Sequence, residues 1–170
     1  MRQVKDGDKR AYRQLLDQQL PSVSRYVMRM TGSNHEAEDI IQEVFLRLWT
    51  NAGRFDSEKA KLTTWLHNIA HNLCIDHFRK AGRLVGEEFM VERESCERPE
   101  TDLLDRSSAS RVRDALMKIP ERQRSAIVMC HFQELSNKDA ASVMEVSVDA
   151  LESLLARGRR NLKTLLNTDE

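Results

Sequence analysis

Residues 61–80 concentrate side chains that could bind nucleic acid. At 100° per residue, one arc of a helix over this segment contains no acid and has an aromatic ring at its border. Lysine and arginine bind phosphates, asparagine hydrogen-bonds base edges, and tryptophan stacks on an unpaired base. An ordinary solvent-facing helix surface explains the same composition, so this segment alone leaves both interpretations open. The residues of the arc are Lys61, Thr64, Asn68, His71, Asn72 and Arg79, with Trp65 at the border.

The same segment offers a rival chemistry, because His67, His71 and Cys74 are spaced i, i+4 and i+7 on one helical stripe. Such a stripe could bind Zn²⁺ or Ni²⁺. No carboxylate completes the set nearby in sequence, and His77 points toward the core side, so we expect no metal and no cofactor. The chain has no P-loop, no H-E-x-x-H and no glycine-rich phosphate cradle, and we expect it not to be an enzyme.

A second constellation lies in residues 134–162, where two N-cap serines begin a short helix and then a longer one. Ala140 and Ala141 permit a close crossing of the two helices, and Val146 and Leu151 fill the joint. The pattern predicts a helix-turn-helix whose second helix lies in the major groove, with a plain helical hairpin as the alternative. The predicted DNA-binding residues are Ser136, Ser147, Asp149, Ala150, Glu152, Ser153, Arg157 and Arg160.

The elements that position these residues follow from caps and apolar spacing. In the first half we predict four helices: one from its cap Asp8 through Leu20, one from Pro21 to near Gly32, one capped by Ser33 or Asn34, and one over residues 61–80 after a loop at 51–60. In the second half we predict a helix that ends at Ile119, a helix with Pro120 in its first position running to about Phe132, and the two helices of the helix-turn-helix, the last through Leu166.

Charge is segregated along the chain. The 170 residues contain 27 Lys and Arg against 27 Asp and Glu, but residues 86–105 hold eight acids and two bases, a net of −6 that leaves +6 elsewhere. This segment lacks an apolar stripe, which predicts a flexible linker that leaves the spacing between the two DNA-binding faces unfixed. The prediction is an all-α chain of two small helical domains, residues 1–82 and 109–170, joined by an acidic linker at 83–108.

Composition also limits the compartment and the class of protein. No apolar run approaches the roughly 20 residues that span a bilayer, so we expect no membrane insertion by this chain. The three cysteines, Cys74, Cys96 and Cys130, form no C-x-x-C pair, which indicates reduced thiols and a cytoplasmic location. Only 6 glycines and 3 prolines argue against an architecture of short strands.

Three segments in order resemble the extracytoplasmic-function (ECF) group of the sigma-70 family, the minimal bacterial transcription initiation factors. Residues 37–49, AEDIIQEVFLRLW, resemble its polymerase-binding helix, and residues 64–80, TWLHNIAHNLCIDHFRK, resemble its promoter-melting helix. Residues 115–124, ALMKIPERQR, resemble the entry to its −35-binding domain. The resemblance covers nearly the whole chain. It implies a factor that binds core RNA polymerase, directs it to promoters and assists melting, while the polymerase does the chemistry.

The resemblance also implies site residues and partners. The partners are the clamp helices of the largest polymerase subunit and the flap, promoter DNA, and an anti-sigma factor that controls a stress response. The implied polymerase-binding residues are Glu38, Asp39, Gln42, Glu43, Leu46 and Trp49. The implied −10 DNA-binding residues are Phe55, Ser57, Lys61, Trp65, Asn68, His71, Asn72, Arg79 and Lys80.

The chain departs from the family pattern at four positions. Glu145 stands in the helix-turn-helix turn where many members have glycine, and His71 stands where arginine is usual. Glu152 and Leu154 replace the lysine and arginine that are common in the recognition helix. A one-component helix-turn-helix regulator is the alternative function, but it leaves the helix containing Trp65 and the polymerase-binding helix unexplained.

Overall fold

The computed structural model describes residues 1–85 and 105–168, and this part of the chain is helical and has no β-strand, so the all-α prediction is confirmed. Two short helical turns lie between successive α-helices: a 3₁₀ turn at Ala52–Arg54 and a π turn at Val128–Phe132. The α-helices are α1 (Arg2–Lys5), α2 (Lys9–Thr31), α3 (Asn34–Thr50), α4 (Leu62–Val85), α5 (Asp105–Lys118), α6 (Glu121–Ile127), α7 (Asn137–Val143) and α8 (Val148–Thr168).

Helix α2 corrects the prediction of two helices that meet at Pro21. Asp8 caps it as predicted, since its carboxylate accepts the backbone N–H groups of Arg10 at 2.8 Å and Ala11 at 3.2 Å. The helix then continues through Pro21 to Gly32, which adopts the left-handed C-cap with φ 73°. Proline inside a helix costs about 3 kcal/mol. Fully burying side chains such as Val23 and Val27 on the next turns stabilises by about 1.5–3 kcal/mol each, which offsets this cost.

The first half packs α2, α3 and α4 around buried apolar residues, and α3 begins at its predicted cap, Ser33. Leu66 and Ala70 of α4 are fully buried, while Leu62, Ile69 and Leu73 are half-buried against the same core, as the periodicity predicts. Helix α4 extends to Val85, five residues beyond the predicted end.

The second half follows the predicted order with two local differences. Pro120 is the N-cap of α6 and does not occupy its first helical position, and a π turn completes the helix to Phe132. The caps of the last two helices are confirmed, since the Ser136 hydroxyl accepts the Asp139 N–H at 3.1 Å and the Ser147 hydroxyl accepts the Ala150 N–H at 3.1 Å. Helix α8 ends at Thr168, just beyond the predicted end.

The prediction that the two halves have no fixed spacing is wrong for this structure, because they pack against each other. One continuous buried core includes Val27 and Met30 from α2 together with Leu116 from α5 and Ile119 just after it. Helices α4 and α5 also extend into the predicted linker at both ends, through Val85 and from Asp105. The acidic residues between them lie outside the described part of the chain. No helix in the described residues is both long enough and apolar enough to cross a bilayer.

Candidate polymerase and nucleic-acid interfaces

Helix α3 presents one acidic and apolar face to solvent. Glu38, Asp39 and Gln42 are exposed, and Leu46 is 55% exposed although its neighbours Phe45 and Leu48 are buried. Leu46 lines one groove with Trp49, and an apolar centre with charged residues around it is a composition suited to a partner. The remaining two predicted residues, Glu43 and Trp49, are half-buried, and Glu43 pairs with Arg47 at 2.7 Å. The structure thus brings all six predicted polymerase-binding residues onto one side of the helix.

Helix α2 contributes to this face, which the sequence analysis missed. Tyr12 lies edge-on to Trp49 with ring centroids 5.0 Å apart, and its hydroxyl donates to the Phe45 carbonyl at 3.0 Å. Tyr12 and Leu16 line a groove of about 600 Å³ together with Leu46 and Trp49. The i, i+4 spacing of Tyr12 and Leu16 was the available sequence signal.

At the start of α4, Trp65 is half-buried and lies against Phe55, with ring centroids 5.4 Å apart. Phe55 was predicted to contact DNA, but it is only 6% exposed and its carbonyl accepts a hydrogen bond from Lys5 at 2.6 Å. Phe55 therefore packs against the Trp65 ring and exposes little surface that could contact DNA. Ser57 and Lys61 nearby are exposed.

The predicted solvent-facing arc of α4 is only partly correct. Asn72, Arg79 and Lys80 are exposed, and Arg79 pairs with Asp76 at 2.9 Å. Thr64 and His71 are each 7% exposed, so the prediction that they face solvent is wrong. The physical reason for His71 is that two neighbours enclose it: α2 on one side and the second half of the chain on the other.

His71 illustrates this enclosure. Its Nδ1 lies 3.1 Å from the Tyr26 hydroxyl of α2. Burial, followed by the nearby Arg122 guanidinium of α6, lowers the pKa of His71 to about 4. At neutral pH the imidazole is therefore uncharged and cannot supply a cationic contact to a phosphate.

In the stripe of His67, His71 and Cys74, both histidines have other partners and Cys74 is fully buried. His67 Nδ1 lies 2.8 Å from the Thr63 carbonyl, and burial lowers the His67 pKa while the Thr63 carbonyl and the Gln133 side chain oppose that shift. Burial raises the pKa of the Cys74 thiol to about 12, so it stays protonated. Within the described residues no three His, Cys, Asp or Glu side chains come together as metal ligands.

In the second half, α7 and α8 form the predicted helix-turn-helix around buried Ala140, Ala141 and Leu151. Glu145 in the turn adopts φ 53°, the left-handed conformation that favours glycine. Leu154 is half-buried against the core, which explains why an apolar residue stands there. Seven of the eight predicted DNA-binding residues are exposed, and Ala150 is half-buried; the seven are Ser136, Ser147, Asp149, Glu152, Ser153, Arg157 and Arg160.

A basic cleft of about 940 Å³ runs beside the recognition helix α8. Ala150, Ser153 and Arg157 line it from α8, opposite Lys118 and Arg122. The sequence analysis missed Lys118 and Arg122, whose only sequence signal was their position on either side of Pro120. Gly158 lets α8 approach α6 closely, because a Cβ there would lie 2.6 Å from Ile127 Cδ1.

Glu152 has a partner that the sequence did not indicate. The Asn137 amide at the start of α7 donates to its carboxylate at 3.3 Å. Both side chains are exposed. The carboxylate is thus oriented across the joint between α7 and α8 while the side chain as a whole stays exposed.

Comparison with known proteins agrees with this arrangement of two halves. Residues 15–84 match the Sigma-70 region 2 family model, and residues 109–162 match the Sigma-70, region 4 model. The chain is 30% identical to the ECF RNA polymerase sigma factor SigW of Bacillus subtilis (strain 168), over 98% of this chain and 94% of that protein.

Two solved structures resemble the chain across both halves. The sigma factor RpoE of Bartonella quintana, solved in complex with the anti-sigma factor NepR, superposes with a TM-score of 0.79 at 25% identity, covering 94% of this chain and 99% of that one. CnrH, solved in complex with the cytosolic domain of CnrY, superposes with a TM-score of 0.74 at 25% identity, covering 99% and 95%. Two family models in the expected order, a near full-length relative and the same fold together show that this chain belongs to the ECF group of the sigma-70 family.

Proposed function

We propose that this chain is an initiation factor that binds core RNA polymerase, directs it to specific promoters and assists their melting. The proposal rests on the two family matches and their order in the chain. The region 2 match covers the half with the exposed α3 face, and the region 4 match covers the helix-turn-helix. The polymerase supplies the catalytic chemistry, and this chain supplies binding and positioning.

In this proposal three segments of the chain have different roles. Residues 1–82 bind polymerase and the −10 element, residues 83–108 link the halves, and residues 109–170 bind the −35 element. The exposed α3 face docks on the clamp helices of the largest subunit, with Leu46 and the Tyr12–Trp49 groove as its apolar centre. Apolar anchors surrounded by charged residues are typical of the centre and rim of a protein interface.

Promoter contacts follow from the exposed groups of α4 and α8. Trp65, supported by Phe55, offers a ring for an unstacked −10 base, while Lys61, Arg79 and Lys80 neutralise phosphates. The outward side chains of α8 meet base edges in the major groove of the −35 duplex, and the basic cleft beside α8 follows its backbone.

The direct test is transcription by core polymerase and this protein on a promoter library, with start sites mapped. We expect a small set of start sites that share −10 and −35 elements and that are absent with core polymerase alone. A one-component regulator would bind its duplex without polymerase. Tight, sequence-specific gel shifts by the free protein would therefore favour the regulator.

The docking face can be tested separately. Glu38→Arg with Asp39→Arg should abolish affinity for core polymerase and transcription, because both carboxylates are exposed and reversal places cations on an acidic docking face. The fold should survive, since losing acids near a helix N-terminus costs only about 0.3–1 kcal/mol each. Asp114→Arg, an exposed acid on α5, is the matched control and should bind polymerase normally. Unchanged affinity of the double variant would refute the docking assignment.

We also propose that an anti-sigma factor restrains this chain in the cytoplasm. RpoE and CnrH, the two superposed proteins, were solved with NepR and CnrY bound. The product of an adjacent gene is the first candidate, and its co-expression should abolish transcription without degrading the chain. If no co-expressed neighbour lowers transcription, this partner proposal loses its support.

A further inference from the structure

The short helix α1 packs beside the loop that precedes α4. Its Val4 is 3% exposed and anchors the helix in the core, while the Lys5 ammonium donates to the Phe55 carbonyl at 2.6 Å across 50 residues of sequence. The same ammonium lies 6.0 Å from the centroid of the Phe55 ring. Helix α1 precedes the region 2 match, which begins at residue 15, so that match gives α1 no role.

The loop of residues 51–61, which joins α3 to α4, has hydrogen bonds of its own on either side of Phe55. The Phe55 N–H donates to the Ala52 carbonyl at 3.2 Å, and the Asp56 carboxylate accepts the Glu58 N–H at 3.0 Å. A loop carbonyl gains no partner from a helix or a sheet ladder, so a donor from outside the loop fixes its direction. Lys5 is that donor for the Phe55 carbonyl.

The position of Phe55 in turn determines the packing of Trp65. The two ring centroids lie 5.4 Å apart and the ring planes meet at 57°. Phe55 is 6% exposed, whereas Trp65 is half-buried and keeps part of its ring at the surface. A ring that is already held in place binds a base more tightly, because less conformational freedom is lost on binding.

The start of α4 is the accessible end of its predicted DNA-binding face. Asn68, one turn beyond Trp65, is half-buried, and its amide lies 3.5 Å from the Val143 carbonyl of α7. Ser57 and Lys61, on the loop beside Trp65, are exposed. Base binding at this end of α4 therefore depends on how the loop holds the Trp65 ring.

We propose that Lys5 is a positioning residue for the −10 strand: it holds the Phe55 carbonyl, which keeps Phe55 against Trp65 and the Trp65 ring ready for an unpaired base. The proposal rests on the proposed function of α4 and extends the −10 site to a helix outside the family match. Lys5 acts through Phe55 and does not itself touch DNA. An exposed lysine could instead bind a phosphate, and that competing role differs in its dependence on salt.

Base preference of the holoenzyme tests the positioning role. The probe is a fluorescent promoter fragment that ends in a single-stranded −10 segment, taken from the promoter library. Lys5→Met keeps the aliphatic stem and removes the donor, and we expect it to lower the preference for the selected −10 strand over a scrambled strand about fivefold, the scale of one lost hydrogen bond. Lys5→Arg keeps a donor and should retain most of the preference. Arg2→Met, which removes the other cation of α1, is the matched control and should leave it unchanged.

Salt dependence separates positioning from a phosphate contact. Losing one contact to a single-strand phosphate reduces the slope of log affinity against log salt concentration by about 0.7. We expect Lys5→Met to leave this slope unchanged, because the Lys5 ammonium binds the protein. A slope reduced by that amount would overturn the positioning role and place Lys5 among the phosphate contacts.

Tryptophan emission reports on the ring itself in the free chain. The sequence has two tryptophans, so in a Trp49→Phe background Trp65 is the only emitter. We expect Lys5→Met in this background to shift the emission to longer wavelength and to raise its quenching by acrylamide. Lys5→Arg and Arg2→Met should leave both as they are, with circular dichroism checking the helix content. Unchanged emission in Lys5→Met would overturn the proposal.

The outcomes distinguish this proposal from the proposed function. If the holoenzyme formed with the unaltered chain shows no preference for the selected strand, the −10 role of α4 fails, whatever Lys5 does to Trp65. If that preference is present and Lys5→Met retains it, the −10 role stands and positioning by Lys5 fails. Affinity for core polymerase should be unchanged in Lys5→Met, and a parallel loss of that affinity would overturn a role confined to the −10 site.

Discussion

Glu145 shows how one residue can carry a conformational cost inside a functional motif. Its φ of 53° lies in the left-handed region, where a side chain other than glycine costs about 1–2 kcal/mol. Its backbone lies in the turn between α7 and α8, and its side chain is exposed. The cost therefore lies in the backbone of the DNA-binding motif.

We expect Glu145→Gly to raise the free energy of unfolding by about 1 kcal/mol, because glycine adopts this φ without a Cβ clash and loses only part of the gain to unfolded-state entropy. Urea unfolding of the two proteins measures the change. Glu145→Ala is the matched control, since it removes the carboxylate but keeps the Cβ. Equal stabilisation by alanine would show that charge, and not φ, is the cause.

We expect Glu152 to determine part of the base preference at the −35 element. A carboxylate on α8 repels phosphates, yet when oriented by Asn137 it can accept a hydrogen bond from a cytosine amino group, worth about 1–3 kcal/mol of discrimination. We predict that Glu152→Lys raises affinity for random duplex, steepens its salt dependence and relaxes the preference at one −35 base pair. Selection from a −35 library with both proteins measures this.

Asn137→Ala separates the two roles of Glu152. It leaves the charge in place but removes the hydrogen bond that orients the carboxylate, so the base preference should weaken while the salt dependence stays the same. An unchanged base preference in both variants would mean that Glu152 affects affinity only.

At the scale of elements, features that depend on neighbouring residues could be predicted from the sequence, whereas features that depend on long-range packing could not. The caps Asp8, Ser33, Ser136 and Ser147 each mark a true helix start, because side-chain capping depends on neighbours within three residues. The helix boundary predicted at Pro21 is wrong because the cost of proline is local, whereas the burial that offsets it comes from the packing of α2 on α3, α4 and the second half. Periodicity likewise identified one buried arc of α4 and could not reveal a second, which exists only because distant residues pack on it.

The Trp65 ring at the start of α4 is the side chain proposed to stack on an unpaired −10 base. We expect Trp65→Ala to impair promoter opening more than polymerase binding, because loss of stacking costs about 1–3 kcal/mol per base. A premelted bubble should restore most of the transcription. Phe55→Leu, which alters the support but keeps the Trp65 ring, should have a smaller effect. A defect that the bubble does not rescue would mean that Trp65 serves the core.

At the scale of the whole molecule, the packed halves make stability depend on pH. The folded chain holds His71 with a pKa of about 4, below its ordinary value near 6.5, so the unfolded chain binds the proton more readily. The contribution of neutral His71 to the free energy of unfolding is therefore complete above pH 6.5 and is lost as the pH drops toward 4. The shift corresponds to a loss of about 3 kcal/mol at most, and His67, whose pKa is also lowered by burial, adds to it in the same direction.

We expect urea midpoints to fall between pH 7 and pH 5, and His71→Gln to reduce that fall, since glutamine can keep a bond to Tyr26 without titrating in this range. His131→Gln, at an exposed histidine, should leave the pH dependence as it is. If His71→Gln retains the whole dependence, other groups are responsible for it.

The covered face of α4 has a consequence for competition inside a cell. Exposed basic and aromatic surfaces bind any nucleic acid, and a genome offers on the order of 10⁶–10⁹ non-specific sites. If α4 binds single strands as proposed, its partial burial against the second half reduces the loss of molecules to transcripts and replication intermediates. The α3 face meanwhile stays exposed, so polymerase can recruit every molecule that an anti-sigma factor does not hold. Mutations that separate α7 from α4 should thus retain more of the protein on cellular RNA.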